Sequence, residues 1–458
     1  MASVKNITIF MFENWVKTGF RWKSPYHEIA GSKFFEARQR VVNLLLDYGY
    51  IKRASLLLAK RNNKNWISAR ARLKFLQGDS EQALALLDNG FVSTTSPSEK
   101  DRLIKLYARL APYELISKLI DTGKAELASQ FLAAIELRNC GSLPYPKAIA
   151  DQHLINANHE TDPEGKLRHL NQYWTEMGLS RQRLAPNSSA FDINAIESHN
   201  CWTQTAPIIP AAVSVIMTVH NGAQYLRAAC VSILQQLEVS TEIVIIDDGS
   251  SDQSWEIIDS IQRDYPHRVV SRRLATNIGT YRAKNVALSI CRSEYVAFQD
   301  ADDWSHPERL LRAINWLRAD RQCVAVTSRY VRLGEDGLFH SPSVWPIRQW
   351  SPNTLVMRRT EVIDRIGGFD PVKVGADTDF FERLRSTFGD QRIKFQNEVL
   401  LLAMSLPTSL MHNSSTGIDK HGYSARRIEY REHSAERILK AALENRAPYI
   451  PIQLDRLG

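Results

Sequence analysis

Three apolar runs decide the fold: VSVIMTVH at 213–220, EIVIIDDGS at 242–250 and YVAFQDADD at 295–303. The first is followed by NGAQYLRAACVSILQQL, which has helical spacing. A helix is expected from about Ser251 to Asp264 after the second, and HPERLLRAINWLRAD follows the third. VVSRRLA at 269–275, with helical GTYRAKNVALSIC after it, and CVAVTSRYVRL at 323–333 extend the series to five strand candidates. Strands alternating with helices imply βαβ units, right-handed crossovers and a mostly parallel sheet, an α/β domain.

In an open parallel sheet, ligands bind beyond the carboxyl ends of the strands. Asp247 and Asp248 close the second of these runs, and Asp300, Asp302 and Asp303 close the fourth. Several like charges in one crevice are costly unless a cation or hydrogen-bond donors answer them. The Asp300-Ala301-Asp302 spacing suits a hard divalent cation with oxygen ligands, Mg²⁺ or Mn²⁺, which keeps waters and shares substrate phosphates. Such an ion would stabilise charge on a departing nucleoside diphosphate. Alone, the triplet also reads as a solvated turn; its place at the end of a hydrophobic strand favours the metal.

These segments, in this order, resemble the donor half of family 2 glycosyltransferases of the GT-A fold. Further on, SPNTLVMRRTEVIDRIGGFDPVKVGADTDFFERL resembles that family's acceptor half. The resemblance covers about residues 211–415. It implies an inverting, metal-dependent transfer of a sugar from a nucleoside-diphosphate donor, expected to be UDP-linked, to a hydroxyl of a glycan or lipid-linked acceptor. Bacterial surface polysaccharide such as capsule or lipopolysaccharide is the implied setting. Carried over residue by residue, it implies that Thr218 and His220 line the nucleotide site and that Asp248 accepts a hydrogen bond from the base. Lys284 stands where the family has Arg and would neutralise donor phosphates as a point charge without the Arg fork. Asn285 matches the family's Asn. Asp302 would touch the ion, with Asp300 on the ribose or an ion-bound water. His412, in SLMHNSSTG, stands where some members carry a metal or diphosphate ligand; it reads equally as a surface histidine.

The family's base is the Asp of a Gly-Glu-Asp segment, and here the stretch runs Gly375-Ala376-Asp377-Thr378-Asp379. Asp377 keeps the base position, with Asp379 as the alternative. The missing Glu puts its acceptor contacts in doubt. Asp377 also suits a helix N-terminus before FFERL, and the two roles are compatible. Trp304, Trp345 and Trp350 are candidates for stacking on sugars, although core packing is the simpler reading of each.

Residues 1–140 read as an all-α domain. FFEARQRVVNLLLDYGYIKRASLLLAKR, WISARARLKFLQGDSEQALALLDNGF and YELISKLIDTGKAELASQFLAAIEL each place a turn between helices, with Ala54, Ala83 and Ala128 after the turns. They resemble tetratricopeptide-like hairpins, which stack into surfaces for protein partners or self-association; a plain bundle is the alternative. Residues 141–210 read as a connector wrapping the next domain, with a helix expected around GKLRHLNQYWTEMGL, and 416–458 as a C-terminal helical extension.

The 458 residues allow two or three domains, and 44% hydrophobic with 24% charged residues excludes wholesale disorder. The net charge of +8 is scattered, as on a solvated surface or one facing an anionic partner, and no nucleic-acid motif accompanies it. Five cysteines without a C-x-x-C suit the cytoplasm. No run of about 18 apolar residues predicts a transmembrane helix. Phe10, Phe12, Trp15 and Phe20 suit either internal packing or peripheral contact with a membrane face. Two rival readings stand beside the enzyme. One is a non-catalytic helical-repeat protein with a degenerate transferase domain. The other is a nucleotidyltransferase, against which TVHNGAQYL counts because it lacks a Gly-rich basic loop.

Overall fold

The computed structural model describes residues 51–59, 66–93, 150–198, 211–340, 347–407 and 422–453, with scattered positions beside these segments. Among the N-terminal elements are α1 (Ile51–Ala59), α2 (Ile67–Leu76) and α3 (Ser80–Ser93). The Gly-Asp turn between the last two works as its residues require. Gly78 takes φ 82°, and Asp79 Oδ1 accepts from the Gln82 amide at 3.2 Å, answering a free helix N–H. Ala54 and Ala83 are fully buried, so the small residues serve close helix packing. Ala128 lies outside the described residues.

The stretch expected to be a connector is largely structured. It holds α4 (Ala150–His159), α5 (Pro163–Glu176) and a hairpin of β1 (Gln182–Leu184) with β2 (Ile196–Ser198). Asp162 caps α5 by accepting from the Gly165 amide at 2.8 Å, with Pro163 at the first helical position. The buried Trp174 donates from Nε1 to the Val399 carbonyl at 3.2 Å, and the Val399 amide donates to the Tyr173 hydroxyl at 3.0 Å. These bonds and a shared apolar core fasten the segment to the large sheet that follows.

That sheet begins with β3 (Val213–Val219), α6 (Ala223–Leu234), β4 (Thr241–Asp247), α7 (Ser254–Asp264), β5 (Val269–Arg273), α8 (Thr280–Ile290) and β6 (Tyr295–Phe298). β7 (Asp303–Ser305), α9 (Arg309–Ala319), β8 (Ala325–Gly334), β9 (Phe339–His340), β10 (Gln349–Trp350) and β11 (Val356–Arg358) follow. The chain continues through α10 (Arg359–Ile366), α11 (Ala376–Phe388), β12 (Ile393–Ser405), a hairpin of β13 (Ile418–Asp419) and β14 (Gly422–Tyr423), and α12 (Ala425–Leu443).

The order across the sheet is β5-β4-β3-β6-β11-β8-β12-β7. β5, β4, β3 and β6 are parallel, as their alternation with helices predicts. The fifth expected strand, β8, does not adjoin the fourth. The three-residue β11 lies between them, antiparallel to both. Helices cover both faces. α6, α7 and α9 close one core, and α8, α10 and α11 close the other. α12 adds Ala435, Ile438, Leu439 and Ala442 to the core of the N-terminal helices. Among the described residues, no helix is long and apolar enough to cross a membrane.

Trp174→Ala should cost about 3–5 kcal/mol, because a fully buried indole leaves a cavity and an orphaned carbonyl. Urea unfolding of the purified protein measures it.

Candidate active site

The parallel strands β3, β4 and β6 end on one rim, and their last residues carry the polar groups. Thr218 Oγ1 meets Thr280 Oγ1 at 2.8 Å, joining the end of β3 to the start of α8. His220 Nδ1 bonds the Asp248 carbonyl at 2.9 Å. A carbonyl only accepts, so Nδ1 carries the proton. Asp247 is fully buried. Its Oδ1 accepts from the Ser250 amide at 2.9 Å, and Oδ2 faces Arg273 Nε at 3.3 Å.

Asp248 is held by the loop between β5 and α8. The Ile278 and Gly279 amides donate to Oδ1 and Oδ2 at 2.7 and 2.9 Å. Burial raises the carboxyl above its ordinary value, and the two amides only partly offset this. A base contact at Asp248 is left with its remaining lone pairs.

The Asp300–Asp303 loop follows β6. Asp300, 36% exposed in its side chain, accepts from Lys284 Nζ on Oδ1 at 3.3 Å and from Asn353 Nδ2 on Oδ2. The Lys284 ammonium is itself buried, 6.0 Å from the centroids of both the Tyr281 and Phe369 rings. Asp302 has no side-chain hydrogen-bond donor among the described residues. Burial and then the Asp300 charge push its carboxyl up to about 6. Burial, Asp302 and Asp300 push Asp303 well above the ordinary carboxylate range. Beneath the loop, the buried Arg309 donates to the Phe298 carbonyl at 2.7 Å, Ser305 Oγ at 2.8 Å and the Asn353 carbonyl at 3.1 Å. Burial lowers its pKa to about 10.

This donor set fits a hard cation. Asp302 is a desolvated carboxylate without a strong donor, next to an acidic neighbour that stays open to solvent. Among the described residues, no three His, Cys, Asp or Glu side chains form a ready cage. A hard divalent ion can take one or two carboxylates and fill the rest of its shell with water and phosphate.

Asp377 stands in the first turn of α11, after Gly375 in the left-handed conformation at φ 83°. Its Oδ1 accepts from the Thr378 amide at 2.7 Å. The Tyr281 hydroxyl lies near its side chain: burial, and then the Asp377 charge, push the tyrosine above its ordinary value. Tyr281 and Lys284 lie three residues apart on α8 and so share a face. One helix thereby reaches Asp377 with the first and Asp300 with the second.

Two expected site residues have other employment. Asn285 is fully buried. Its Nδ2 donates to the Phe369 carbonyl and its Oδ1 accepts from the Phe369 amide, each at 2.8 Å. It ties α8 to the loop after α10, and its amide is spent there rather than on a donor. Gly368 permits that approach, since a Cβ there would lie 2.4 Å from Asn285 Oδ1. Asp379, the alternative base, is also fully buried. It pairs with Arg383 Nε at 2.8 Å and Arg437 Nη2 at 2.6 Å, and accepts from Ser434 Oγ. With no exposed oxygen and two guanidinium partners, it braces α11 against α12. Trp304 is buried against Trp174 and His306, and Trp350 packs on Phe381; both are packing residues. His412 and Trp345 lie outside the described residues. Asn353, Arg309 and Tyr281 were not singled out by sequence reasoning. Only the position of Asn353 in the quoted SPNT segment hinted at a role.

Residues 214–381 match the family described as "Glycosyl transferase family 2". An uncharacterised glycosyltransferase of Nostoc sp. is 29% identical over 180 residues, 35% of this chain and 55% of that protein. An Escherichia coli protein described as a UDP-Glc:alpha-D-GlcNAc-diphosphoundecaprenol beta-1,3-glucosyltransferase is 29% identical over 157 residues, 34% of this chain and 61% of that one. The chain thus spans about 55–61% of the length of these curated relatives. S. aureus TarS in complex with UDP-GlcNAc aligns at TM-score 0.37 and 20% identity, over 50% of this chain and 71% of that one.

Asp379→Asn leaves Arg383 buried beside a neutral partner and should cost about 3–5 kcal/mol. Burial acts to raise the Asp379 carboxyl, but Arg383, Arg437 and Ser434 outweigh it and hold it below the ordinary value. Its contribution is therefore complete above the unfolded carboxylate value, about 4, and is lost as pH falls through the folded value. Urea unfolding of both proteins should show a gap that is constant near neutrality and narrows in acid.

Proposed function

We propose, from the premise that residues 214–381 are a family 2 glycosyltransferase domain of the GT-A fold, that this chain transfers a sugar with inversion. The donor is a nucleoside-diphosphate sugar, UDP-linked in our reading, and the acceptor is a hydroxyl of a glycan or lipid-linked intermediate of a bacterial surface polysaccharide. The observation that carries this reading is the shared helix α8, which reaches the donor-side Asp300 through Lys284 and the acceptor-side Asp377 through Tyr281. The Escherichia coli relative is named for a UDP-Glc donor and a diphosphoundecaprenol-linked acceptor, which supports the donor and acceptor classes.

In this reading the acceptor hydroxyl lies against Asp377, which removes its proton as the oxygen forms its bond to the anomeric carbon. The bond from that carbon to the donor phosphate oxygen breaks on the opposite face, so the configuration inverts. The electron pair leaves on the nucleoside diphosphate. Asp302, with Asp300 beside it, would hold a divalent cation, Mn²⁺ or Mg²⁺, which supplies charge stabilisation for the diphosphate when bound. Thr218 and His220 border the nucleotide, and Asp248 fixes the loop that shapes its pocket. Lys284 pairs with Asp300 at 3.3 Å and adds positive potential toward the phosphates.

Purified protein should release nucleoside diphosphate from one member of a panel of UDP-, GDP- and dTDP-sugars in Mn²⁺ or Mg²⁺, and chelator should abolish release. Asp377→Asn should lower kcat by about 10²–10⁴, the usual contribution of general-base catalysis. Asp302→Asn should abolish the metal dependence together with the activity. Retention of full activity by Asp377→Asn would remove the base assignment. Failure to bind any nucleotide with either metal would favour a non-catalytic scaffold.

A further inference from the structure

We propose that Asn353 is a positioning residue of the donor site, which orients the Asp300 carboxylate through its side-chain amide. This rests on the reading of Asp300 and Asp302 as the metal and nucleotide carboxylates.

The two Asp300 oxygens have different partners. Lys284 Nζ stands 3.3 Å from Oδ1, and the Asn353 amide donates to Oδ2. An ammonium is a point charge that three rotatable protons surround, so it attracts the carboxylate without setting its plane. A planar amide donor on the second oxygen removes that freedom. The second donor matters because the Asp300 side chain is still 36% exposed. Left with Lys284 alone, the carboxylate would rotate toward water.

Asn353 is itself held from below. Its carbonyl accepts from Arg309 Nη2 at 3.1 Å, and the same nitrogen donates to the Phe298 carbonyl at the end of β6 at 2.7 Å. The short 3₁₀ turn at Pro352–Thr354 is closed by Ser351 Oγ, which accepts from the Asn353 amide N–H at 3.2 Å. Thr354 adds an Oγ1–H bond to the Ser351 carbonyl at 2.8 Å. A segment between β10 and β11, on the acceptor side of the sheet, thus reaches back to a donor-side carboxylate. Groups that orient first ligands are worth about 10–100-fold in metal affinity.

The test is UDP binding by calorimetry, with Mn²⁺ and with chelator, on the full chain. It compares wild type, Asn353→Ala and Ser351→Ala, with thermal unfolding in chelator alongside. Asn353→Ala should weaken Mn²⁺-dependent UDP binding about tenfold or more with little change in Tm. Ser351→Ala loosens the same turn without touching Asp300 and should bind as wild type. Unchanged Mn²⁺-dependent affinity in Asn353→Ala overturns the proposal, whatever its Tm. Equal weakening in Ser351→Ala overturns it too, because the turn and not the amide would then matter. A wild type that binds no UDP in Mn²⁺ fails at the earlier step and removes the metal reading on which the proposal stands.

Discussion

Crowded negative charge at the end of β6 is the constraint around which the rest of the domain is arranged. Asp300, Asp302 and Asp303 occupy four consecutive positions with Ala301, and two of them are desolvated enough to titrate well above ordinary carboxylates. Such a loop is unfavourable by itself. The fold answers it with cations and donors from three other elements: Lys284 from α8, Arg309 from α9 and Asn353 from the turn before β11. None of these cancels the charge at Asp302. The residual negative potential is what a divalent cation would answer.

The same economy of parts joins the two halves of the site. α8 bears on Asp300 with Lys284 and on Asp377 with Tyr281, and Asn285 on its next turn locks the Gly367–Phe369 segment. A shift of this helix would move donor-side and acceptor-side groups together. Behind Asp377, the Asp379–Arg383–Arg437 ion pairs fix α11 to α12. α12 in turn packs into the N-terminal helices and pairs Glu432 with Lys52 at 2.9 Å. The N-terminal helices are therefore part of the mechanical support of the helix that carries Asp377. Buried ion pairs contribute little net stability, but breaking one is costly, so they serve here to hold one arrangement of α11 in preference to others.

The βαβ series from Val213 to Leu333 was legible in the sequence because β3, β4 and β6 are buried on both faces and read as continuous apolar runs. The helices between them have spacing that matches a single buried face. The place of Asp300 and Asp302 just past the end of β6, where parallel sheets bind ligands, was legible as well. β11 was not. Three residues, Val356–Arg358, carry no periodicity, and only pairing with β6 and β8 makes them a strand. Asn285 and Asp379 were misread for a related reason: a polar side chain in a motif is the same letter whether it faces a ligand or ties two loops together.

What the sequence by itself determined is the order of elements, the class of sheet and the strand ends that bear carboxylates, because periodicity and burial act along the chain and are local. Tertiary structure alone decided which polar groups meet. It brought Asn353 to Asp300 across 53 positions and Arg437 to Asp379 across 58. It also set Tyr281 beside Asp377 while it buried Asp379 two residues away. Those choices follow from sheet order and helix packing, which set distances between segments far apart in the chain and leave no trace in the spacing of any one of them.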